Sequence, residues 1–136
     1  MRNFLFLLLA GCCFLVACSK TETKGGKYTA VLVECIGNAA AQEINAVLMI
    51  TNTGFNESHR VGGAVHGTMA IDDRGNTLKP HSNSGYLYEF PTGVPVRVTV
   101  ERMGPVMQGT LTLRILTVSI GPSNNIVEFR NVPIVW

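Results

Sequence analysis

The chain has 136 residues and a formal net charge of +2, from 11 basic and 9 acidic side chains. That length allows a single domain, and the near-neutral charge argues against nucleic acid as a partner, because nucleic-acid binding requires a concentrated basic face. With 46% hydrophobic and 15% charged residues, the chain has enough Val, Ile and Leu to build a core, which argues against disorder.

Residues 1–17 have the order of a secretory signal peptide. The start, Met1-Arg2-Asn3, is positively charged, an almost unbroken apolar run follows from Phe4 to Val16, and a polar stretch begins at Ser19. The apolar run has about 13 residues, whereas a helix that spans a bilayer needs roughly 20. We therefore expect export and cleavage rather than a permanent anchor helix.

The end of this segment, Leu15-Val16-Ala17-Cys18, resembles the bacterial lipobox, which is cleaved before a cysteine that becomes lipid-modified. The resemblance implies a diacylglyceryl group on Cys18, usually with a further N-acyl chain, and two or more chains hold a protein stably at a membrane. Ser19 in place of Asp implies delivery to the outer membrane of a two-membrane bacterium. The expected location is the bacterial cell envelope, on the periplasmic or surface face.

Two alternatives remain for the N-terminus. Leu9-Ala10-Gly11-Cys12 is a competing lipobox. Cleavage there would leave only Phe4–Leu8 as the apolar stretch of the signal, and the mature chain would begin with the exposed apolar residues 12–17. The other alternative is a plain cleaved signal without lipid. The length of the apolar run favours Cys18 over Cys12, and the resemblance to the lipobox favours a lipidated Cys18 over a plain cleaved signal.

Cleavage before Cys18 leaves one free thiol, because Cys12 and Cys13 depart with the signal peptide. The remaining Cys35 lies in an apolar, strand-like run, so we expect it to be buried. A reactive thiol or an intermolecular disulfide is the alternative. Residues 18–27 are predicted to be the lipidated cysteine and a flexible tether, because Ser19–Lys27 contains two glycines and no apolar anchor.

From Tyr28 onwards the apolar residues recur with the period of two that predicts β-strands. Ile44 to Ile50 is apolar in both phases, which predicts a central strand covered on both faces. The alternation in Thr110–Ile120 slips by one residue, which predicts a β-bulge. About seven strands are predicted, at Tyr28–Cys35, Ile44–Ile50, Val61–Ile71, Gly85–Phe90, Val96–Glu101, Thr110–Ile120 and Asn125–Trp136.

Turn-forming residues separate these strands, including Asn52-Thr53-Gly54, Pro91-Thr92-Gly93 and the stretch from Asp72 to Asn76. Pro133 cannot donate a ladder hydrogen bond, so the last strand is predicted to be at an edge or bulged. The pattern over residues 28–136 predicts an all-β fold, an antiparallel immunoglobulin-like β-sandwich. An open Greek-key β-barrel is the alternative.

Three segments carry a resemblance to a known class of domain. The stretches Ile50–Gly54, Ala70–Asn76 and Pro91–Pro95 together resemble bacterial extracellular immunoglobulin-like lipoprotein domains, with the uncharacterised telokin-like group the nearest. The resemblance covers roughly residues 28–136, although the Cys…Trp…Cys core of antibody domains is absent. It implies an accessory, adhesive or protein-binding module without enzymatic activity.

No metal site is predicted from the spacing of His59, His66 and His81, since zinc needs three or four ligands held together. Asp72 and Asp73 suggest calcium, but the bidentate Glu that ends an EF-hand loop is missing, and a hairpin turn explains them.

No catalytic site is predicted either. Ser58 or Ser82, His59 or His81, and Asp72 could be combined into a triad, but no nucleophile elbow is present. Glu89 and Glu101 have no spacing that favours a glycosidase pair. The glycine-rich Val61–Gly67 indicates a kinked edge strand or a close approach of a partner backbone.

We therefore expect that the protein is not an enzyme and binds no cofactor. The leading hypothesis is a lipid-anchored, non-catalytic envelope lipoprotein that acts as a protein-binding or assembly accessory module. The alternative is an inhibitor of a host or competitor enzyme such as lysozyme. Families of small lysozyme-inhibiting lipoproteins rely on a disulfide, which this mature chain cannot form internally.

Overall fold

The computed structural model describes residues 22–24, 26–54, 59–62, 68–81, 87–120 and 125–136. In these ranges the chain forms strands and turns, and no helix there could cross a bilayer. The all-β prediction is confirmed. The described strands, numbered in chain order, are β1 Glu22–Lys24, β2 Tyr28–Asn38, β3 Glu43–Asn52, β4 His59–Gly62, β5 Met69–Asp72, β6 Thr77–Pro80, β7 Leu87–Phe90, β8 Pro95–Gly104, β9 Thr112–Ile120 and β10 Asn125–Pro133.

Eight of these strands form one antiparallel sheet in the order β1-β10-β9-β5-β6-β8-β3-β2, and β4 pairs with β7 in a separate two-stranded sheet. The short strand β6 joins the halves, because its first part pairs with β5 and its second part with β8. The strand order within the groups β2-β3-β8 and β10-β9-β5 is compatible with the A-B-E and G-F-C orders of an immunoglobulin-like sandwich.

The sheet folds over until its ends approach each other. Ile36 of β2 forms an isolated parallel bridge with Val135, just beyond β10. The sheet is therefore nearly closed, which is consistent with both the predicted sandwich and the predicted open barrel. The described residues form ten strands, where about seven were predicted.

The core lies between the two halves of the sheet. In β3, Ile44, Leu48 and Ile50 are completely buried on one face, and Val47 is buried on the other. The predicted central position of this strand is confirmed, whereas its second face is covered at Val47 and only half-buried at Met49. The aromatic rings of Tyr28 and Phe90 pack edge to face in the core, with centroids 5.7 Å apart and an interplanar angle of 72°.

Two bulges keep apolar side chains directed at the core. On β9 the pairing with β5 shifts between Ile115 and Leu113, which leaves Arg114 as the extra residue and confirms the predicted slip. On β2 the pairing with β3 shifts between Leu32 and Glu34, which leaves Val33 as the extra residue. A strand that gains one residue reverses its in-out alternation beyond that point, so both halves still face the core.

The structure corrects the strand predictions in three places. The single strand predicted for Val61–Ile71 is two strands in different sheets, β4 and β5. β6 was not predicted, because its four residues include only one buried side chain, Leu78, and so carry no readable period. Three residues of the span predicted as a tether form β1, which pairs with Ile126–Glu128.

The prediction for Pro133 is confirmed. Among the described residues, β1 pairs with β10 at Ile126–Glu128, and Pro133 has a ladder partner in β9 alone. A residue without an N–H is tolerated at such a position.

Candidate functional site

Several residues weighed from the sequence lie outside the described residues. These are the predicted lipidation site Cys18, together with Ser58, Ser82, His66 and residues 63–67 of the glycine-rich stretch. His59 belongs to β4. His81 is exposed after β6, where its backbone N–H donates to the Arg102 carbonyl at 2.9 Å. Among the described residues, no three His, Cys, Asp or Glu side chains are grouped closely enough to hold a metal ion.

Asp72 and its neighbours form the turn between β5 and β6, as predicted. The buried Asp72 carboxylate accepts hydrogen bonds from the backbone N–H groups of Arg74 at 2.9 Å and Asn76 at 2.7 Å. It also accepts one from the Asn76 side-chain amide at 2.8 Å. Burial alone would raise the pKa of Asp72, but these hydrogen bonds and the Arg74 charge outweigh it and lower the pKa. The carboxylate is therefore used by its own turn.

Cys35 is buried on the core side of β2, as predicted, and its burial raises the pKa of the thiol to about 12. Because the thiolate is the reactive form, a buried thiol with a raised pKa is inert in the folded protein.

The reactivity of Cys35 gives a simple test of both its burial and the lipid on Cys18. We expect the native full-length protein in detergent to show no thiol towards Ellman's reagent. After unfolding in guanidinium it should show one, because Cys35 becomes exposed while the Cys18 sulfur is blocked by lipid. Fast native labelling would contradict the burial. More than one thiol after unfolding, or an intact mass without lipid, would contradict the predicted N-terminus.

A cavity of about 390 Å³ lies at the end of the domain where the sheet closes. It is formed where the β2–β3 turn, the segment between β8 and β9, and the end of the chain come together. Its lining residues are Ala39, Gln42, Val106, Gln108, Gly109 and Trp136. None of their side chains carries a charge.

Backbone hydrogen bonds hold these three segments in place. Val106 N–H donates to the Gln42 carbonyl at 2.8 Å and connects the first two segments. Val135 N–H donates to the Cys35 carbonyl at 2.9 Å, and Gly37 N–H donates to the Val135 carbonyl at 2.7 Å. The cavity therefore rests on the closure of the sheet rather than on one loop.

Trp136 is the largest side chain of the cavity, and it is held in one orientation. Its indole Nε1–H donates to the Thr110 carbonyl at 2.6 Å. One part of the ring packs directly on Gly37, since a Cβ atom added there would lie 2.6 Å from Cδ2 of the indole. The residue nevertheless remains 44% exposed. Trp136 is thus an immobilised aromatic surface that is still open to solvent.

A second feature is a row of apolar side chains along the solvent side of β2. We call this the β2 apolar row; it comprises Val31, Val33 and Ile36, which are 63%, 48% and 42% exposed. β2 is the terminal strand of the sheet. Glu34 interrupts the row and lies 3.5 Å from the Arg97 guanidinium, so one ion pair borders it.

Sequence reasoning missed the cavity. Residues 38–43 fall between two predicted strands, and Trp136 was predicted only as the end of the last strand. The sequence carries one signal that could have pointed to these residues, namely the rarity of two residue types. The chain has a single tryptophan and only two glutamines, and all three residues line this cavity. Comparison of the chain with protein-family models, with curated proteins and with solved structures gives no match.

Proposed function

We propose that this protein is a non-catalytic lipoprotein of the bacterial cell envelope, anchored through lipid on Cys18 and delivered to the outer membrane. There it acts as a protein-binding or assembly accessory module. The observation that carries the binding role is the β2 apolar row. Three branched apolar side chains exposed side by side on one terminal strand are costly to leave in water, and such patches mark interaction surfaces.

The position of the row on a terminal strand supports a protein partner. β2 has β3 as its ladder neighbour on one side, and on the other side the isolated bridge at Ile36 reaches Val135. A terminal strand can accept an added strand of a partner through its backbone groups, while exposed side chains provide the specificity. The exposed Glu34–Arg97 pair at its border is typical of the polar rim of an interface and contributes little energy itself.

The short connection to the proposed anchor also supports work at the membrane surface. Only residues 19–21 separate Cys18 from β1. Three residues extend over at most about 10 Å. A lipid on Cys18 would therefore hold the domain close to the bilayer, within reach of other envelope proteins.

Crosslinking in intact cells tests the proposal. Tagged full-length protein is crosslinked, purified and analysed by mass spectrometry, and we expect one envelope protein at near-stoichiometric yield. Val31→Glu places a charge in the middle of the β2 apolar row and should reduce that yield at least about tenfold, because a buried unpaired charge is costly at an interface. The stability of the domain should be unchanged within about 0.5 kcal/mol, since the site is exposed.

Val94→Glu is the matched control, because Val94 is 49% exposed but lies in the turn before β8. It should leave the crosslinking yield at the wild-type level. The proposal fails if the lipidated, folded protein captures no envelope protein, or if both variants lose the partner equally.

A further inference from the structure

The side chains that line the cavity at the closed end of the sheet include one indole and two primary amides, and none of these side chains is charged. Its rarest residue types, the single tryptophan and both glutamines of the chain, come from three separate segments. At about 390 Å³ it lies near the lower end of the roughly 300–1,000 Å³ range of small-molecule sites. It therefore has room for a ligand of mono- or disaccharide size rather than for a folded partner.

The aromatic surface is prepared before any ligand arrives. The hydrogen bond from Nε1 to Thr110 and the contact with Gly37 fix the Trp136 ring, while much of it remains exposed. The face of an aromatic ring carries partial negative charge, so it attracts weakly positive C–H groups. The C–H face of a sugar ring fits such a surface, because it is flat and apolar and its C–H groups are weakly positive.

The two amides provide uncharged hydrogen bonding beside that surface. Each glutamine amide offers two N–H donors and one carbonyl acceptor, which can serve hydroxyl groups in either direction. No lining side chain offers an opposite charge to a carboxylate, phosphate or ammonium ligand. The Arg74 guanidinium lies next to the lining residue Gly109, so Arg74→Gln tests whether this cation attracts an anionic ligand. Gln42 is held by its backbone bond to Val106, and the loop of Gln108 is held by the Thr110 hydroxyl, which donates to the Met107 carbonyl at 2.8 Å.

From this arrangement we infer that the cavity is a binding site for a neutral carbohydrate. A sugar ring stacks on the exposed part of the Trp136 indole, and its hydroxyl groups exchange hydrogen bonds with the Gln42 and Gln108 amides. The site is separate from the β2 apolar row, so it adds a small-molecule ligand to the proposed protein-binding role and does not depend on it.

The single tryptophan makes the test direct, because all indole fluorescence comes from the proposed site. Full-length protein is solubilised in a detergent without a sugar headgroup, such as a dimethylamine oxide, so that the detergent does not compete. It is titrated with glucose, N-acetylglucosamine and their disaccharides. We expect a saturable change in Trp136 emission with a dissociation constant of about 1 mM or lower for at least one of them.

Gln108→Leu retains the size of the side chain and removes its hydrogen bonds, so it should weaken binding at least about tenfold. Gln42→Asn should also weaken it; asparagine is chosen because Gln42 has a φ of 56° and Asn tolerates that conformation. Met107→Leu is the control, because Met107 is exposed beside Gln108 but does not line the cavity. Thermal unfolding confirms that all variants are folded.

Three results would overturn the inference. The first is unchanged emission with every neutral sugar while the protein is folded. The second is equal affinity in Gln108→Leu and Met107→Leu, which would place the ligand elsewhere. The third is a response restricted to uronic acids and abolished in Arg74→Gln, since the Arg74 guanidinium lies near Gly109 and would then select an anionic ligand.

Discussion

Gly37→Ala is expected to lower the free energy of unfolding by about 2 to 3 kcal/mol, a large effect for the addition of one methyl group. The new Cβ would lie 2.6 Å from Cδ2 of Trp136, a separation that the ring cannot tolerate. Either the strand deforms, at a cost typical of overpacking, or the indole leaves its place. The cost cannot exceed that of undocking Trp136.

The cost of undocking can be estimated from what Trp136 contributes. The ring loses its hydrogen bond to Thr110, worth about 1 kcal/mol, and exposes the buried part of the indole, worth about 2 kcal/mol. Trp136→Ala should therefore destabilise the domain by a similar amount. In that background Gly37→Ala should cost much less, because the three atoms nearest to the added methyl group all belong to Trp136.

Urea unfolding followed by far-ultraviolet circular dichroism measures the four stabilities of this cycle. Trp136 emission gives an independent reading, since displacement of the ring in Gly37→Ala should shift it to longer wavelength. If the costs of the two substitutions are additive in the double variant, Gly37 and Trp136 do not interact. The carbohydrate inference would then lose its basis, because it depends on a Trp136 ring that is held in place by Gly37. Gly75→Ala is not a suitable control. An alanine at Gly75 would meet no neighbouring atom within 4 Å, but the φ of 87° would strain its backbone.

Asp72→Ala is expected to lower the free energy of unfolding by about 2 to 3 kcal/mol near neutral pH. The change leaves the backbone N–H groups of Arg74 and Asn76 without their acceptor in the β5–β6 turn. Hydrogen bonds to a charged group contribute about 1.5–3 kcal/mol, and the donors left behind must find water. Asp72→Asn should cost less, because its carbonyl can still accept from both N–H groups.

The pKa of Asp72 determines how this effect changes with pH. The folded-state pKa is lowered from the ordinary 3.8, so the stabilisation is complete above the unfolded-state value. It declines as the pH falls below 3.8, because the unfolded chain takes up the proton first, and it is lost once the folded-state pKa has been passed. The stability difference between wild type and Asp72→Ala should therefore shrink on acidification.

Guanidinium or thermal unfolding at about pH 7 and at several values below 3.8 checks both points. Asp73→Ala is the neighbouring control, since the Asp73 carboxylate makes only a long, 3.4 Å contact with the Leu111 N–H. A difference between wild type and Asp72→Ala that stays constant with pH would show that the carboxylate charge does not contribute to holding the turn.

Several elements were predictable because their causes are local in the chain. The period of two between Tyr28 and Ile120 reports which side chains of a strand face the core, and it also predicts a slip within Thr110–Ile120. The pairing with β5 places that slip at Arg114. The turn at Asp72 is stabilised by hydrogen bonds between residues no more than four positions apart. The burial of Cys35 followed from its apolar neighbours in β2.

Other elements depend on contacts between distant residues. β6 has one buried side chain, so its place between the two halves of the sheet is set by its partners in β5 and β8. The split of Val61–Ile71 into β4 and β5 likewise reflects pairing with β7 in one case and with β6 and β9 in the other. Pairing partners of this kind leave no trace in the hydrophobic period of a single segment.

The sequence by itself determined the all-β class and the positions of most strands along the chain, and its N-terminal segment predicts export and a lipid on Cys18. The tertiary structure alone decided where binding could occur. Gln42, Gln108 and Trp136 lie up to 94 positions apart in the chain (136 minus 42) and meet only because the folded sheet brings its two ends together. Local patterns specify strands and turns, whereas a cavity exists only after the strands have found their partners.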